Sequence, residues 1–506
     1  MAEPKPNALT VRMYQVGFGD CFLITLAYPQ PLDDGRNERH ILVDFGTTSM
    51  GGGFTSLSTA ARLIREHTRG QIDVIVASHR HRDHLSAFGS TTITKKLVEP
   101  GYPKLVIRSW TEDPDLDRAA RGPESASRGR ARALAPAARA RTNGAKSAVG
   151  PKSRDFMKTL ASAEIFTSRF FEKTKKSPSN SLAADASNLA EDQLKNEAAV
   201  KQLQAWASAG TPVYLHYGMR SGIESVVPGI RTRVLGPPTV DQHPGVTSQR
   251  ESDPDEFWMI YRDLLSNLSR TDLIGPKRGK RGDPSSTESA AHAGAGDDVS
   301  GLAPDLAETD APDAAGAFGP VGPVRWLTDR MGRQQLNSLY RIVRVLDDVL
   351  NNTSVILLFD VEANGQTIRM LFGGDAQIEN WEYALGKKRN RDLLRDVDVY
   401  KVGHHGSRNA TPRTLFSLWK PRPKKNPRWA LMSTKPGVHG KKVTTAVPRE
   451  TLVAALDTSM TLRATNLLPD RVPYVELRAD LEEGKTFREI SVPPIPTQAQ
   501  RRSTSR

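Results

Sequence analysis

Six consecutive residues, His79-Arg80-His81-Arg82-Asp83-His84, carry three imidazoles and a carboxylate directly after an apolar run at 72–78. That run, Ile-Asp-Val-Ile-Val-Ala-Ser, reads as a buried strand, so the cluster opens from a strand end. From an extended turn, residues 79 and 81 can project together while 83 and 84 turn toward a neighbouring position. One loop can therefore supply two adjacent metal ions. Imidazole and carboxylate are good Zn2+ ligands, and Mn2+ or Fe2+ occupy similar mixed nitrogen and oxygen sites. The chain has a single cysteine, Cys21, which removes thiolate-rich zinc schemes and any intramolecular disulfide. Any metal must be held mainly by His and carboxylate.

Around this cluster, short β-like runs alternate with amphipathic helical ones, the pattern of an α/β layered domain. The runs at 11–15 and 21–27 flank Gly17-Phe18-Gly19-Asp20, a glycine turn suited to a hairpin or sharp corner. A third short strand at 41–44 ends in Asp44-Phe45-Gly46. Residues 57–68 have helical spacing, and 104–110 read as another strand. Further on, a helix is predicted over 189–209, capped by Asn188 and stopped by Gly210, followed by strand character at 211–217 and 232–237. Amphipathic helices are expected at 255–270 and 331–350. Strands follow at 354–359, 367–372, 397–402 and 429–433, then a helix from Pro448 through Leu456.

The 506 residues hold 71 Lys and Arg against 57 Asp and Glu, a formal charge of +14 that favours anionic partners. Much of the excess lies in an Ala/Arg-rich run from Arg118 to Arg154, which lacks apolar periodicity. Two readings of it stand: a solvated insertion, or an arm that contacts nucleic acid. A second biased stretch, from Gly282 to about Gly322, contains no Lys or Arg and reads as an acidic linker. No stretch approaches 18 consecutive apolar residues, and the first residues lack the apolar region of a signal peptide. The expectation is a soluble, cytoplasmic protein with no transmembrane segment.

His79-x-His81-x-Asp83-His84 resembles the signature of the metallo-β-lactamase fold, an αββα sandwich of hydrolases. Three other segments resemble the same superfamily in the expected order: Ile41-Leu42-Val43-Asp44-Phe45-Gly46, Leu371-Phe372-Gly373-Gly374-Asp375-Ala376 and Lys401-Val402-Gly403-His404-His405-Gly406-Ser407. With Val16-Gly17-Phe18-Gly19-Asp20, the paired histidines look most like the branch containing the soluble hydrolase domain of bacterial competence (DNA-uptake) proteins and phosphorylcholine-esterase-type enzymes. The resemblance covers about 1–111 and 346–460. It implies a first core half at 1–111, a basic, partly helical insertion at 112–210 and core-associated strands at 211–245. A helical insertion with the acidic linker at 246–345, a second core half at 346–492 and a disordered tail at 493–506 complete the division.

The same resemblance implies two divalent metal ions, Zn2+ or, as the alternative, Mn2+. His79 and His81 would bind the first, Asp83 and His84 the second, and Asp375 would bridge them. His405 would complete the second site, with His404 as a donor to an anionic oxygen; the reverse assignment of this pair stays open. Catalysis would fall on Asp83 and His404, alongside a metal-bridged hydroxide. Many members place a further His before the bridging Asp, but no His occurs between His292 and His404, and Asn351-Asn352-Thr353-Ser354 stands in the corresponding place. His216 is a possible substitute. Asp20 and Asp44 are read as hydrogen-bonding the metal-binding histidines, Cys21 as buried packing, and Arg80, Arg82 and Arg408 as either phosphate clamps or solvated charges.

The function these residues imply is metal-dependent hydrolysis of a phosphodiester or nucleic acid, with an anionic substrate. Because one fold hosts many chemistries, hydrolysis of a carboxylic ester, thioester or lactam is the alternative. A third reading makes the core a non-catalytic metal-binding scaffold with interaction arms. Nothing in the sequence sets the oligomeric state.

Overall fold

A computed structural model of the protein describes residues 4–50, 56–117, 120–123, 196–248, 250, 253–258, 349–438, 446–484 and 486–496. Several of its strands, such as Cys21–Ala27 and Trp429–Met432, are apolar and buried on both faces, as expected of strands held between layers. Strand β1 (Ala8–Tyr14) and β2 (Cys21–Ala27) pair antiparallel, with Val11 opposite Ile24, and β2 pairs antiparallel with β3 (Glu38–Phe45). Beyond β3 the sheet becomes parallel through β4 (Val74–Val76), β5 (Leu105–Ser109) and β6 (Thr211–Leu215).

A second sheet holds β7 (Ile230–Gly236), β8 (Ile356–Ala363), β9 (Gln366–Phe372), β10 (Val399–Lys401), β11 (Trp429–Met432) and β12 (Thr461–Ala464) in that spatial order. Strands β9 to β12 run parallel. The chain then returns to the first sheet, where β13 (Tyr474–Asp480) pairs with β1 and β14 (Arg488–Ile490) forms the edge.

Alternate residues of each strand sort into different cores, as the period-two geometry requires. Phe22, Ile24, Ile41, Val43, Val74 and Val76 of the first sheet meet Leu357, Phe359, Met370, Phe372, Val399 and Leu431 of the second. The intervening residues Leu23, Leu42, Ile75 and Val106 face helices instead: α1 (Leu57–Thr68), the single turn α2 (Arg82–Leu85), α3 (Thr91–Leu97) and α4 (Glu197–Ala209). A short helix, α5 (Ile223–Val226), adds Ile223 to the central core. On the second sheet, Ile356, Leu358, Leu371 and Tyr400 pack beneath α6 (Ile378–Leu385), α7 (Lys388–Leu394), α8 (Arg413–Ser417) and α9 (Glu450–Ser459). The chain is thus a mixed α/β protein with two facing sheets and helices over the outer face of each. Each fully buried Leu, Val, Ile or Phe contributes about 1.5–3 kcal/mol relative to exposure.

Several expectations meet their structural counterparts here. Helix α1 spans 57–68 as predicted; Ser56 caps it by accepting from Thr59 N–H, and Arg69 ends it in the left-handed region at φ 55°. The helix expected at 189–209 is described over Glu197–Ala209, and its predicted cap, Asn188, lies outside the described residues. Ala199, Leu203 and Ala207 pack onto the first sheet, so α4 is the crossover between the parallel strands β5 and β6 rather than part of an insertion. Within the basic run, Arg121 pairs with Asp241 at 2.7 Å and accepts from Val240 N–H, which ties it to the core. The segment expected to leave the fold at Pro493 stays attached through Ile495, which donates its N–H to Arg471 O. Most of the two expected helices at 255–270 and 331–350, all of the acidic linker and most of the basic run lie outside the described residues. Among the described residues, no helix is long and apolar enough to cross a membrane.

Candidate metal centre

Parallel pairing brings the C-terminal ends of β3 and β4 together in one sheet and those of β9, β10 and β11 together in the other. Because β2 runs antiparallel to β3, its first residues lie at the same end, with Cys21 opposite Phe45. Asp20, Asp44, the His79–His84 cluster, Asp375, Lys401 and the His404-His405 pair therefore converge on one edge of the facing sheets. Loops at the carboxyl ends of strands are where open α/β sheets form their sites.

The single turn α2 carries Asp83 and His84 inward, both buried. Two glycines let neighbouring loops lie directly on it. A Cβ at Gly46 would stand 2.4 Å from Arg82 O, and one at Gly19 would stand 2.6 Å from Asp83 O. Both distances are impossible for any other residue without movement of backbone, which explains the glycines beside Asp20 and Asp44.

Asp83, His84, Asp375 and His405 present ligand atoms that all lie within 4.8 Å of one another. His84 Nε2 is 3.0 Å from Asp375 Oδ2, and His405 Nε2 is 3.1 Å from Asp83 Oδ2 and 3.7 Å from Asp375 Oδ2. The other nitrogen of each ring is anchored. His84 Nδ1–H donates to Asp44 Oδ2 at 2.8 Å, and His405 Nδ1–H donates to Ser433 O at 2.9 Å. Anchoring Nδ1 fixes the ring and aims Nε2 into the cluster, the arrangement that orients histidine ligands. Phe18 packs on the His405 ring, with centroids 4.3 Å apart.

The electrostatics follow from this geometry. Burial opposes charge on His84, but Asp375, Asp44 and Asp83 around it raise its pKa well above the usual imidazole range. His405 is raised in the same way, by Asp375, Asp20 and Asp83 against burial. Burial likewise opposes ionisation of Asp83 and Asp375, yet His84 is the strongest of the groups that hold both below the usual carboxylate range. Both rings thus face buried carboxylates at the point where a cation would stand. Asp83 Oδ1, buried, has no hydrogen-bond partner. This donor set fits a divalent ion bound by two nitrogens and two carboxylates.

His79 and His81 lie beside the four-donor group but are arranged differently. Ser78 gives its hydroxyl hydrogen to Asp44 Oδ2, so His79 donates from Nδ1 to Ser78 Oγ at 3.1 Å. His79 Nε2 then accepts from His81 Nδ1–H at 3.0 Å. Burial lowers both pKa values, that of His81 to about 4, so both rings are neutral. Among the described residues, neither joins a group of three possible ligands. His216 contacts Tyr217 O through Nδ1 and joins no such group either. At the place of the absent histidine, Asn352 donates to Ser248 O, and Ser354 Oγ accepts from Asp375 N–H.

His404 differs from its neighbour in exposure: 26% of its side chain is accessible, while His405 is fully buried. Its Nε2 lies 4.0 Å from Asp375 Oδ2, and its backbone N–H donates to Asp375 Oδ1 at 3.1 Å. Asp44, His404 and His405 all have positive φ, at 55°, 42° and 53°. Non-glycine residues held in the left-handed region cost roughly 1–3 kcal/mol each and gather where surrounding contacts enforce them. Of the flanking arginines, Arg408 lies over the Phe257 ring at 5.5 Å. Cys21 is buried in the core behind the first sheet, which raises its pKa.

Sequence reasoning assigned no role to Lys401. Its side chain is 2% exposed; Nζ contacts Asp20 Oδ2, donates to Gly374 O at 2.8 Å and lies 3.3 Å from Asp375 Oδ1. Asp20 in turn stands 3.6 Å from His84 Nδ1 and 3.7 Å from His405 Nδ1, too far to hydrogen-bond either ring, so in place of the expected bond to a histidine it forms an ion pair with Lys401. The available signal was its position, four residues before His405 at the end of a three-residue strand. No protein-family model and no curated protein matches this chain.

Proposed function

We propose that this protein is a metal-dependent hydrolase of the metallo-β-lactamase fold that cleaves an anionic phosphodiester, nucleic acid included. The observation that carries the reading is the convergence of Asp83, His84, Asp375 and His405, with both Nδ1 atoms anchored so that both Nε2 atoms face the same point. Two facing sheets with outer helices, and a site at the strand ends, support the fold assignment. The net charge of +14 supports an anionic substrate.

Those four residues would hold a divalent ion, with Zn2+ first and Mn2+ second on donor chemistry. When bound, such an ion acts as a Lewis acid and lowers the pKa of a coordinated water toward neutrality. Asp44 and Ser433 keep the two rings in the tautomer that offers Nε2. Asp83 Oδ1, otherwise without a hydrogen-bond partner, accepts a hydrogen bond from the attacking water. His404, at the accessible side, donates from its ring to charge developing on the substrate.

The test is metal analysis of the purified chain, followed by turnover of bis(p-nitrophenyl) phosphate, single- and double-stranded nucleic acid, and a carboxylic ester panel. Metal-dependent diester cleavage, lost in Asp375→Ala, is the expected result. Turnover of a carboxylic ester or lactam with no diester cleavage would replace the substrate class, and absence of metal under saturating conditions would remove the hydrolase reading.

A further inference from the structure

We infer that the outer surface formed by α7 and the loop at 420–428 binds double-stranded nucleic acid through its phosphates, apart from the metal centre. The inference stands on charge and placement and does not depend on the metal-hydrolase reading. Besides the basic run, a second excess of positive charge lies at 399–449, which holds twelve Lys or Arg and no Asp or Glu. At average usage a stretch of that length would carry roughly six acids. Lys401 and Arg428 are buried and serve the fold, so the surface charge comes from the others.

Arg428 fixes the loop. Its guanidinium donates to Val397 O at 2.8 Å, Lys420 O at 3.0 Å and Arg395 O at 3.1 Å, which joins both ends of the loop to the end of α7. Beside it, Trp419 Nε1–H donates to Leu394 O at 2.8 Å. The helix and the loop therefore form one fixed surface. Helix α7 leads toward the first residue of β10, and the loop leads into the first residue of β11. The surface thus stands at the strand ends opposite the metal centre.

The acids within reach are already matched. Asp392 lies between Lys388 and Arg395, Asp396 lies between Arg369 and Arg422 at 3.0 Å from each, and Asp398 pairs with Arg422. Arg389, Lys420, Lys424 and Lys425 are exposed and, among the described residues, are in no ion pair. Like charges held on one fixed surface raise the local potential and attract a polyanion. A duplex carries one negative charge per about 1.7 Å of its axis, the densest such partner. Proteins that hold single strands add aromatic side chains on which bases stack, and helices that lie on lipid add apolar ones that insert. No aromatic or large apolar residue of this surface is exposed, which favours contact with phosphates alone.

The test is binding of a fluorescent DNA duplex of random sequence to the full chain at several salt concentrations. A chelator is present, so that the metal centre adds nothing and nothing is cleaved. Wild type should bind. Arg389→Gln, Lys420→Gln, Lys424→Gln and Lys425→Gln combined should weaken binding at least about tenfold and lower the slope of log affinity against log salt by about 2–4. Neutralising four exposed cations elsewhere, by Lys5→Gln, Arg62→Gln, Lys201→Gln and Arg488→Gln, matches the net charge and should leave affinity and slope nearly unchanged. Equal losses in the two variants would reduce the effect to net charge and overturn the inference. So would wild-type binding by the first variant, or no duplex binding by wild type. Duplex binding seen only without chelator would return the nucleic acid to the metal centre and also overturn it. Tighter binding to vesicles of anionic lipid or to polyglutamate than to the duplex would overturn the choice of partner. If the four-site variant fails to fold, as judged by circular dichroism, Lys424→Gln with Lys425→Gln should still lower the slope by about 1–2, and an unchanged slope there would overturn the inference.

Discussion

His405 Nε2 lies 3.1 Å from Asp83 Oδ2, although 322 residues separate them in the chain. The four-donor group exists only when the second sheet has docked on the first. It also distinguishes the adjacent histidines: His405 reaches the group through Nε2, while His404 is turned toward the accessible side. His405→Ala should lose the metal and nearly all turnover. His404→Ala should keep the metal and lose roughly 10²–10³-fold in kcat, the scale of one transition-state donor. Metal content and kcat on the same preparations check this. Metal loss in His404→Ala with full retention in His405→Ala would reverse the two roles.

Asp44 organises the cluster without belonging to the four-donor group. It accepts from His84 Nδ1–H, Ser78 N–H and Ser78 Oγ–H. Asp44→Asn keeps the size and the tolerance for positive φ but loses the charge and one acceptor oxygen. Metal affinity should fall about 10–100-fold, as when a partner of a ligating histidine is removed. Competition against a chromophoric chelator measures it, and an affinity equal to wild type would show that His84 needs no anchor.

Glu379, at the start of α6, is 2% exposed, and burial pushes its carboxyl up to about 7. Its Oε1 accepts from Arg250 N–H at 2.7 Å, and its Oε2 has no hydrogen-bond partner. A folded pKa above the unfolded value near 4.5 means that the group's contribution is fully present below that value. It is lost as pH rises through about 7. Glu379→Gln cannot ionise, so its stability relative to wild type should be higher at pH 8 than at pH 5, by up to about 3 kcal/mol. Thermal unfolding of both proteins at the two pH values checks the sign. A difference independent of pH would mean that Glu379 titrates normally.

The basic run gives a prediction about polyanions. Arg121 is tied to Asp241, so a deletion that spares the core begins after it, at 124–154. Removing those residues should leave the unfolding transition of the core unchanged. Any affinity for nucleic acid should fall and become less steeply salt-dependent, because phosphate contacts release counterions. Binding isotherms at several salt concentrations measure this, and an unchanged slope would place phosphate contacts elsewhere.

Local pattern determined a large part of this protein. Apolar runs with turn residues at their ends placed β2 and α1 at their observed boundaries and most other core strands within a few residues. The strands β12, β13 and β14 and the helices α6, α7 and α8 were not legible. Strand β13, for example, pairs with β1, whose partner residues lie at least 460 positions away, as Tyr14 opposite Tyr474. Its mixture of charged and apolar residues acquires meaning only against that partner. The ligand types and their loops were likewise readable, because a dense His and Asp cluster after a buried strand has few other uses.

What only the tertiary structure decided is which of those groups face one another. Asp375 pointing one oxygen at His84 and the other at Lys401, and His405 reaching Asp83, depend on loops from two sheets meeting at one edge. Sequence spacing specifies the direction of a side chain within its own strand or helix. It carries no information about distances across the interface, where hydrogen-bond geometry and the penalty for unpaired buried charge select one arrangement.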